Sequence, residues 1–359
     1  MFTIITPFRR SLLLLTLCAA LAPLAGCKKN EDAAAAGAAG AAPAEVTPAE
    51  AAPKEEPAVE LKAKWPADQR LVVQVNTHTD SEMANPALPQ PFKSENFITQ
   101  EIAFTAGKER ETGGSEVDVE LVTVRVENKA AGKSTPVFDP KGDPKAERSN
   151  PVAGAFRKLL GSRVKYQTDA SGKVTKVDGV PQLVSRVTTG LPIQSQFLVR
   201  SMLTEDAIRG WNVLHQNLPT NSVKIGDTWE STREVPYGVA KFVVNTTNTF
   251  TGWEQRNNKK VAKITTVGLM EAKVGAPATI ALGEGSSITG SLWYDAELGV
   301  ISESDMVAQF SVTINQPTGQ SVATKLKTKT TSKLIGGAAA ASAPAAEPPA
   351  TAKPAEKKP

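Results

Sequence analysis

Residues 180–218 read VPQLVSRVTTGLPIQSQFLVRSMLTEDAIRGWNVLHQNL, and this stretch decides the fold because its apolar spacing is helical while the chain on both sides alternates. Leu183, Val184 and Val187 form one stripe, and Phe197, Leu198, Met202 and Leu203 a second. Thr204 is placed to cap a third segment, with Glu205 and Asp206 favouring its positive end and Ala207, Ile208, Trp211, Leu214 and Leu218 as its stripe.

Upstream, Leu71, Val73, Val75, Thr77 and Thr79 fall on one face of a strand, with Gln74, Asn76 and His78 on the other. Ile98, Ile102 and Phe104 alternate in the next. In the third, Val117, Val119 and Leu121 alternate, and the phase then switches to Val122, Val124 and Val126, which predicts a bulge or burial on both faces. Asn150 and Pro151 open a short helix as N-cap and first residue, and Gly161 closes it. Val164–Val177 reads as a hairpin turning at Asp169–Gly172. Downstream, strands are expected near 228–235, 240–252, 261–267, 288–295, 300–314 and 322–334. In the last of these Val322, Thr324, Leu326 and Thr328 oppose Lys325, Lys327 and Lys329.

Strands, a helical crossover and strands again predict an α+β fold, mostly antiparallel β. The expected form is a curved half-barrel sheet of about 11 strands with helices covering its concave face. A weak internal echo joins two hairpins: Gly161-Ser162, Tyr166, Asp169-Ala170 and Gly172 against Gly290-Ser291, Tyr294, Asp295-Ala296 and Gly299.

The N-terminus carries an address. Arg9 and Arg10 precede an apolar run from Ser11 to Leu24, shorter than the roughly 20 residues of a spanning helix. Leu24-Ala25-Gly26-Cys27 follows, and this resembles the bacterial lipobox. The resemblance implies acylation of the Cys27 thiol and cleavage before it, so that residues 1–26 are a signal peptide and Cys27 is the first mature residue. Two or three acyl chains anchor stably, whereas one is marginal. Lys28, not Asp, follows the cysteine, which by the enteric sorting pattern implies the outer membrane, with the domain facing the periplasm.

Cys18 lies inside the signal, so the mature chain has no disulfide and no cysteine-based metal or redox site. Residues 27–60 are the lipidated cysteine and an Ala/Pro-rich tether, too poor in large apolar side chains to fold, and 336–359 is a tail of the same kind. Residues 61–335 form the folded domain. Removing Arg9 and Arg10 takes the formal charge from +4 to +2, which speaks against a nucleic-acid surface.

Three stretches occur together in order: Asn150-Pro151 through Gly161 into the Gly172 hairpin, Leu218-Pro219 through Ile225-Gly226-Asp227-Thr228-Trp229, and Tyr294 through Val300. They resemble an uncharacterised family of bacterial envelope lipoproteins, a domain of unknown function similar to the half-barrels of outer-membrane lipoprotein carriers. The resemblance implies an acyl-binding space between a curved sheet and its helices. It brings no catalytic residues.

No catalytic constellation is present. His78 reads as a surface histidine, and His215 as a helix histidine beside the core. The Gly283–Ser287 run is neither a nucleophile elbow nor a dinucleotide fingerprint, and Asp139, Asp143 and Glu147 fit no EF-hand. The expectation is a non-enzymatic envelope lipoprotein without cofactor or metal. It is held at the membrane by Cys27, and Phe197, Met202 and Trp211 are the candidate lining of a cavity for a hydrophobic, acyl ligand. The alternative is a structural or assembly partner in an envelope protein complex.

Overall fold

Alternation on the first strand fixes which face is inside. In β1 (Gln69–Ala84) every second residue from Leu71 to Met83 is buried, and the residues between them are not. A computed structural model describes residues 57–339, apart from 87–88, 112, 146–149, 238–239, 274–278 and 316–319. The signal peptide, Cys27, most of the tether and the tail beyond 339 lie outside the described residues.

The strands after β1 are β2 (Phe92–Glu109), β3 (Ser115–Ala130), β4 (Lys133–Phe138), β5 (Arg163–Thr168), β6 (Val174–Asp178), β7 (Thr228–Tyr237), β8 (Ala240–Arg256), β9 (Lys259–Ala272), β10 (Ile280–Leu282), β11 (Ser287–Asp295), β12 (Val300–Asn315) and β13 (Ser321–Ala339). The helices are α1 (Pro151–Leu159), α2 (Val180–Thr188), α3 (Ile193–Met202) and α4 (Glu205–Arg209). Thirteen strands form one antiparallel sheet in the order β6-β5-β3-β2-β1-β13-β12-β11-β9-β8-β7, with β4 on β3 and β10 on β12. The two beyond the eleven expected are β4 and the three-residue β10, which lack enough residues to show a period.

The sheet curls. Its edge strands β6 and β7 stand at opposite ends of the order, yet both lie against the five-residue helix α4. Arg209 of α4 reaches the Thr175 carbonyl on β6, and Asp206 pairs with Lys241 on β8 at 2.9 Å. A helix across both edges also covers backbone groups that would otherwise template further pairing. Gly268 and Gly290 mark tight points of the curl: a Cβ on either would lie 2.3 Å from a carbonyl oxygen of the neighbouring strand.

The phase switch in β3 is a bulge. Leu121 pairs with Ile102 and Thr123 with Glu101, so Val122 is the extra residue, and the buried positions pass from Val117, Val119 and Leu121 to Val124 and Val126. α1 begins as expected, with the Asn150 side chain accepting from the amides of Val152 and Ala153. The segment read as one helix from Thr204 to Leu218 is shorter. α4 ends at Arg209, before Gly210, and the chain beyond is turn, with the Leu214 carbonyl taken by the Ile301 amide of β12 at 2.7 Å.

Two apolar clusters fill the inside. One joins β1, β2, β3, β5 and β6 to α1, α2 and α3 through Phe104, Val119, Phe156, Leu183 and Val187. The other lies on β8, β9, β11 and β12 without a helix and is closed by Leu61 and Val223. Inner-face polar groups pair across strands: Asn128 with Asn96 at 2.9 Å, Thr79 with Thr328 at 3.1 Å and Thr266 with Asn248 at 2.8 Å.

Candidate functional site

The helices are pinned unequally over the sheet. α1 has its Asn150 cap, and Arg157 sits 5.2 Å over the Phe138 ring. α2 packs Leu183 and Val187 into the core. α3 has Pro192 at its N-cap position with no side-chain cap bond, and Val199 is its one fully buried large side chain among those described. It is entered through Gly190, whose φ is +74°. α2 also lacks a side-chain cap but buries both Leu183 and Val187, so the single fully buried large side chain of α3 makes it the covering element with least to hold it down.

Met202 of α3 and Trp211 meet beneath this roof. They share an apolar cavity of about 30 Å³ with Leu121 and Val124 of β3 and Ala155 and Phe156 of α1. That is room for about one water in the form seen. Phe197, expected beside them, stands on the opposite side of α3 at 67% exposure, because the helical turn that buries Val199 points position 197 outward.

A strap closes the same region. Residues 57–60, assigned by composition to the tether, are ordered: Val59 bridges Val223 in antiparallel fashion. Leu61 is buried, the Lys64 amide donates to the Gly299 carbonyl at 3.0 Å, and the Trp65 indole N–H donates to the Gly172 carbonyl at 2.8 Å. Tyr166 and Tyr294, the matched tyrosines of the two echoing hairpins, are both buried on the inner face. The Tyr294 hydroxyl donates to the Lys62 carbonyl at 2.7 Å and the Tyr166 hydroxyl to the Ile208 carbonyl. The echo in the sequence is thus two hairpin turns that clasp one strap.

His215 lies under the strap, its Nε2 2.9 Å from the Lys64 carbonyl and its ring 4.3 Å from that of Trp65. Burial pushes its pKa down from 6.5 to about 4, only partly offset by hydrogen bonds to backbone carbonyls. It is therefore neutral at physiological pH.

His78 lies on the outer face of β1, stacked on Phe97 at 4.3 Å, with Asp80 at 3.3 Å and Glu95 at 3.5 Å from its Nε2. Their ligand atoms lie within 4.8 Å of one another, a set able to approach a cation. The Lys129 ammonium, 2.9 Å from Glu95, already supplies one and holds that carboxyl below its usual range, so the group is built as an ion-pair network. Its acidic partner is invisible without the β1–β2 register. A wider depression of about 840 Å³ opens where Ser81, Ser94, Phe310 and Leu326 meet. Its rim carries Asp80, Glu82, Glu95 and Glu284 against Lys93, Lys129, Lys325 and Lys327, so it selects no charge. Among the described residues no helix is long and apolar enough to cross a membrane.

The model of a family of unknown function, DUF6263, matches residues 113–301, which is 189 of 359 residues. No curated protein matches the chain. Among solved structures, lipovitellin, studied for its lipid–protein interactions, is similar at a TM-score of 0.45 and 11% identity, over 78% of this chain and 26% of that one. The chain thus spans about a quarter of the lipovitellin chain. An exported protein of YmcC-like fold from Bacteroides fragilis gives 0.25 and 10%, over 75% and 98%. An outer-membrane lipoprotein-sorting domain from Vibrio parahaemolyticus gives 0.11 and 9%, over 70% and 83%. Likenesses this distant say nothing of activity.

Proposed function

The chain belongs to the DUF6263 family, whose membership carries no activity with it, and we propose that it is a non-enzymatic lipoprotein of the bacterial envelope that binds a hydrophobic ligand, an acyl chain, between its curled sheet and α3. The observation that carries this reading is the apolar cavity of Met202 and Trp211 under the least anchored helix. A lipid pocket needs several hundred Å³, so the ligand enters as α3 swings out about Gly190, and the 30 Å³ space is the collapsed form. The walls from β3 and α1 are apolar and stay in place.

In this reading residues 1–26 direct export, acylated Cys27 anchors the chain in the outer membrane, and the tether lets residues 57–339 work in the periplasm some tens of Å from the bilayer.

Ala155 gives the test, because it walls the cavity on α1 rather than on α3. Full-length Cys27→Ser protein should take up a fluorescent fatty acid saturably. Adding Ala155→Phe should weaken uptake about tenfold, while urea melts show no more than the ~1–3 kcal/mol cost of overpacking. No saturable uptake, or uptake indifferent to Ala155→Phe, would refute the pocket.

A further inference from the structure

The outer side of α3 is as unusual as its inner side. Ile193 is 85% exposed and Phe197 67%, the two most exposed large apolar side chains among the described residues, and they stand one turn apart on one face. Arg200 continues that stripe. Helices α1, α2 and α3 pack on one another and contain no Asp or Glu. Besides Arg157, which packs over Phe138, they carry Lys158, Arg186 and Arg200, and among the described residues no ion pair neutralises any of these last three. Lys158 donates to the Thr189 carbonyl, and Arg186 to the Ser162 hydroxyl and the Lys158 carbonyl, all uncharged acceptors. The helical layer is thus a cationic face with two apolar side chains standing out of it. On β1, β12 and β13, by contrast, basic residues stand opposite acidic ones: Lys329 has Asp305 at 3.0 Å, Lys333 has Glu303 at 3.7 Å, and Lys325 and Lys327 are in register with Glu82 and Asp80.

We infer that this face docks on an anionic phospholipid surface. Ile193 and Phe197 enter the acyl boundary, and Lys158, Arg186 and Arg200 meet headgroup phosphates. The charge complementarity is one-sided, since a layer without a carboxylate repels no anionic lipid. Docking does not need the acyl chain of Cys27, and it does not rest on the cavity beneath α3. If both hold, the helix that touches the bilayer is also the one that opens.

Vesicle flotation tests this with full-length Cys27→Ser protein, which lacks the lipid anchor. The expected result is flotation with phosphatidylcholine vesicles containing 30% phosphatidylglycerol and little with phosphatidylcholine alone. Near an anionic surface each basic residue strengthens binding roughly fivefold, so Arg186→Glu with Arg200→Glu should weaken it at least about twenty-five-fold, the square of that factor. Ile193→Asp with Phe197→Asp should abolish it. These side chains are exposed, so the circular dichroism of both variants should match the parent. Equal flotation with both vesicle types, no flotation, or flotation unchanged in both variants overturns the proposal, the last because it would report the N-terminal apolar segment instead. Fatty-acid uptake in solution is read separately, so loss of docking with uptake intact separates this face from the pocket.

Discussion

The Trp65 indole N–H donates to the main-chain carbonyl of Gly172 at 2.8 Å, across 107 residues of chain. One residue earlier the Lys64 amide donates to Gly299, so two turns from the two halves of the sheet hold the same two residues of strap. In the proposed lipoprotein this strap follows the tether, and it connects the anchor to the apolar cluster below the helices through contact of Trp65 with Phe104.

Replacing Trp65 tests how much of the closure this strap provides. Trp65→Ala should destabilise by roughly 2–4 kcal/mol, since it removes a half-buried ring and the donor to Gly172. Trp65→Phe keeps most of the ring and should cost about 1 kcal/mol. Urea denaturation distinguishes them. Equal losses would mean that the ring, not the hydrogen bond, is irrelevant to the clasp.

Gly299 has φ +70°, and a Cβ there would lie 2.4 Å from Cγ of Lys64. Gly299→Ala therefore adds a steric clash to roughly 1–2 kcal/mol of left-handed strain. Gly161, at φ +66° with nothing within 4 Å, supplies the comparison: Gly161→Ala should cost the strain alone. Adding Lys64→Gly should recover part of the loss at Gly299 and none at Gly161, seen as non-additivity in a double-mutant cycle.

The half-buried, neutral His215 makes stability depend on acid. Its pKa is about 4 in the fold against 6.5 free, so the unfolded chain binds more protons between those values. Stability should thus be unaffected by this group above about pH 6.5, fall as the pH drops towards 4, and lose nothing further to it below. The full shift corresponds to roughly 3 kcal/mol as an upper bound, reduced because part of the residue meets solvent. His215→Asn should flatten the pH profile in that window. A profile of unchanged slope would show that other groups set it.

Much of this was legible from local pattern. The alternation of Leu71 to Thr79, the shift of phase at Val122 and the Asn150 cap each state one local rule, and each appears in the fold as stated. The strap was not legible, because Leu61 and Trp65 are isolated among Lys and Ala and show no period. The stripe from Ala207 to Leu218 has helical spacing, yet Gly210 and the claim of β12 on the Leu214 carbonyl stop the helix early. At the candidate site Met202 and Trp211 were accessible from their stripes. The outward turn of Phe197 was not, since an apolar residue on a helix predicts burial and here the neighbouring Val199 takes the inner position. The His78–Glu95 contact depended on the pairing of β1 with β2, which no periodicity specifies.

Cys27 gives a prediction independent of the fold. Cys27→Ser should abolish incorporation of labelled fatty acid and make the membrane-bound protein releasable by high salt, which screens the docking of the helical face. Label retained by the variant would place the acylation elsewhere.

The space under α3 should take an acyl ligand. The most direct measurement is mass spectrometry of the organic extract of Cys27→Ser protein purified from the envelope-producing cell without detergent. A fatty acid or phospholipid should be recovered near one per chain and be depleted in the Ala155→Phe protein. An extract free of lipid, from protein that also takes up no fatty acid when it is supplied, would contradict it.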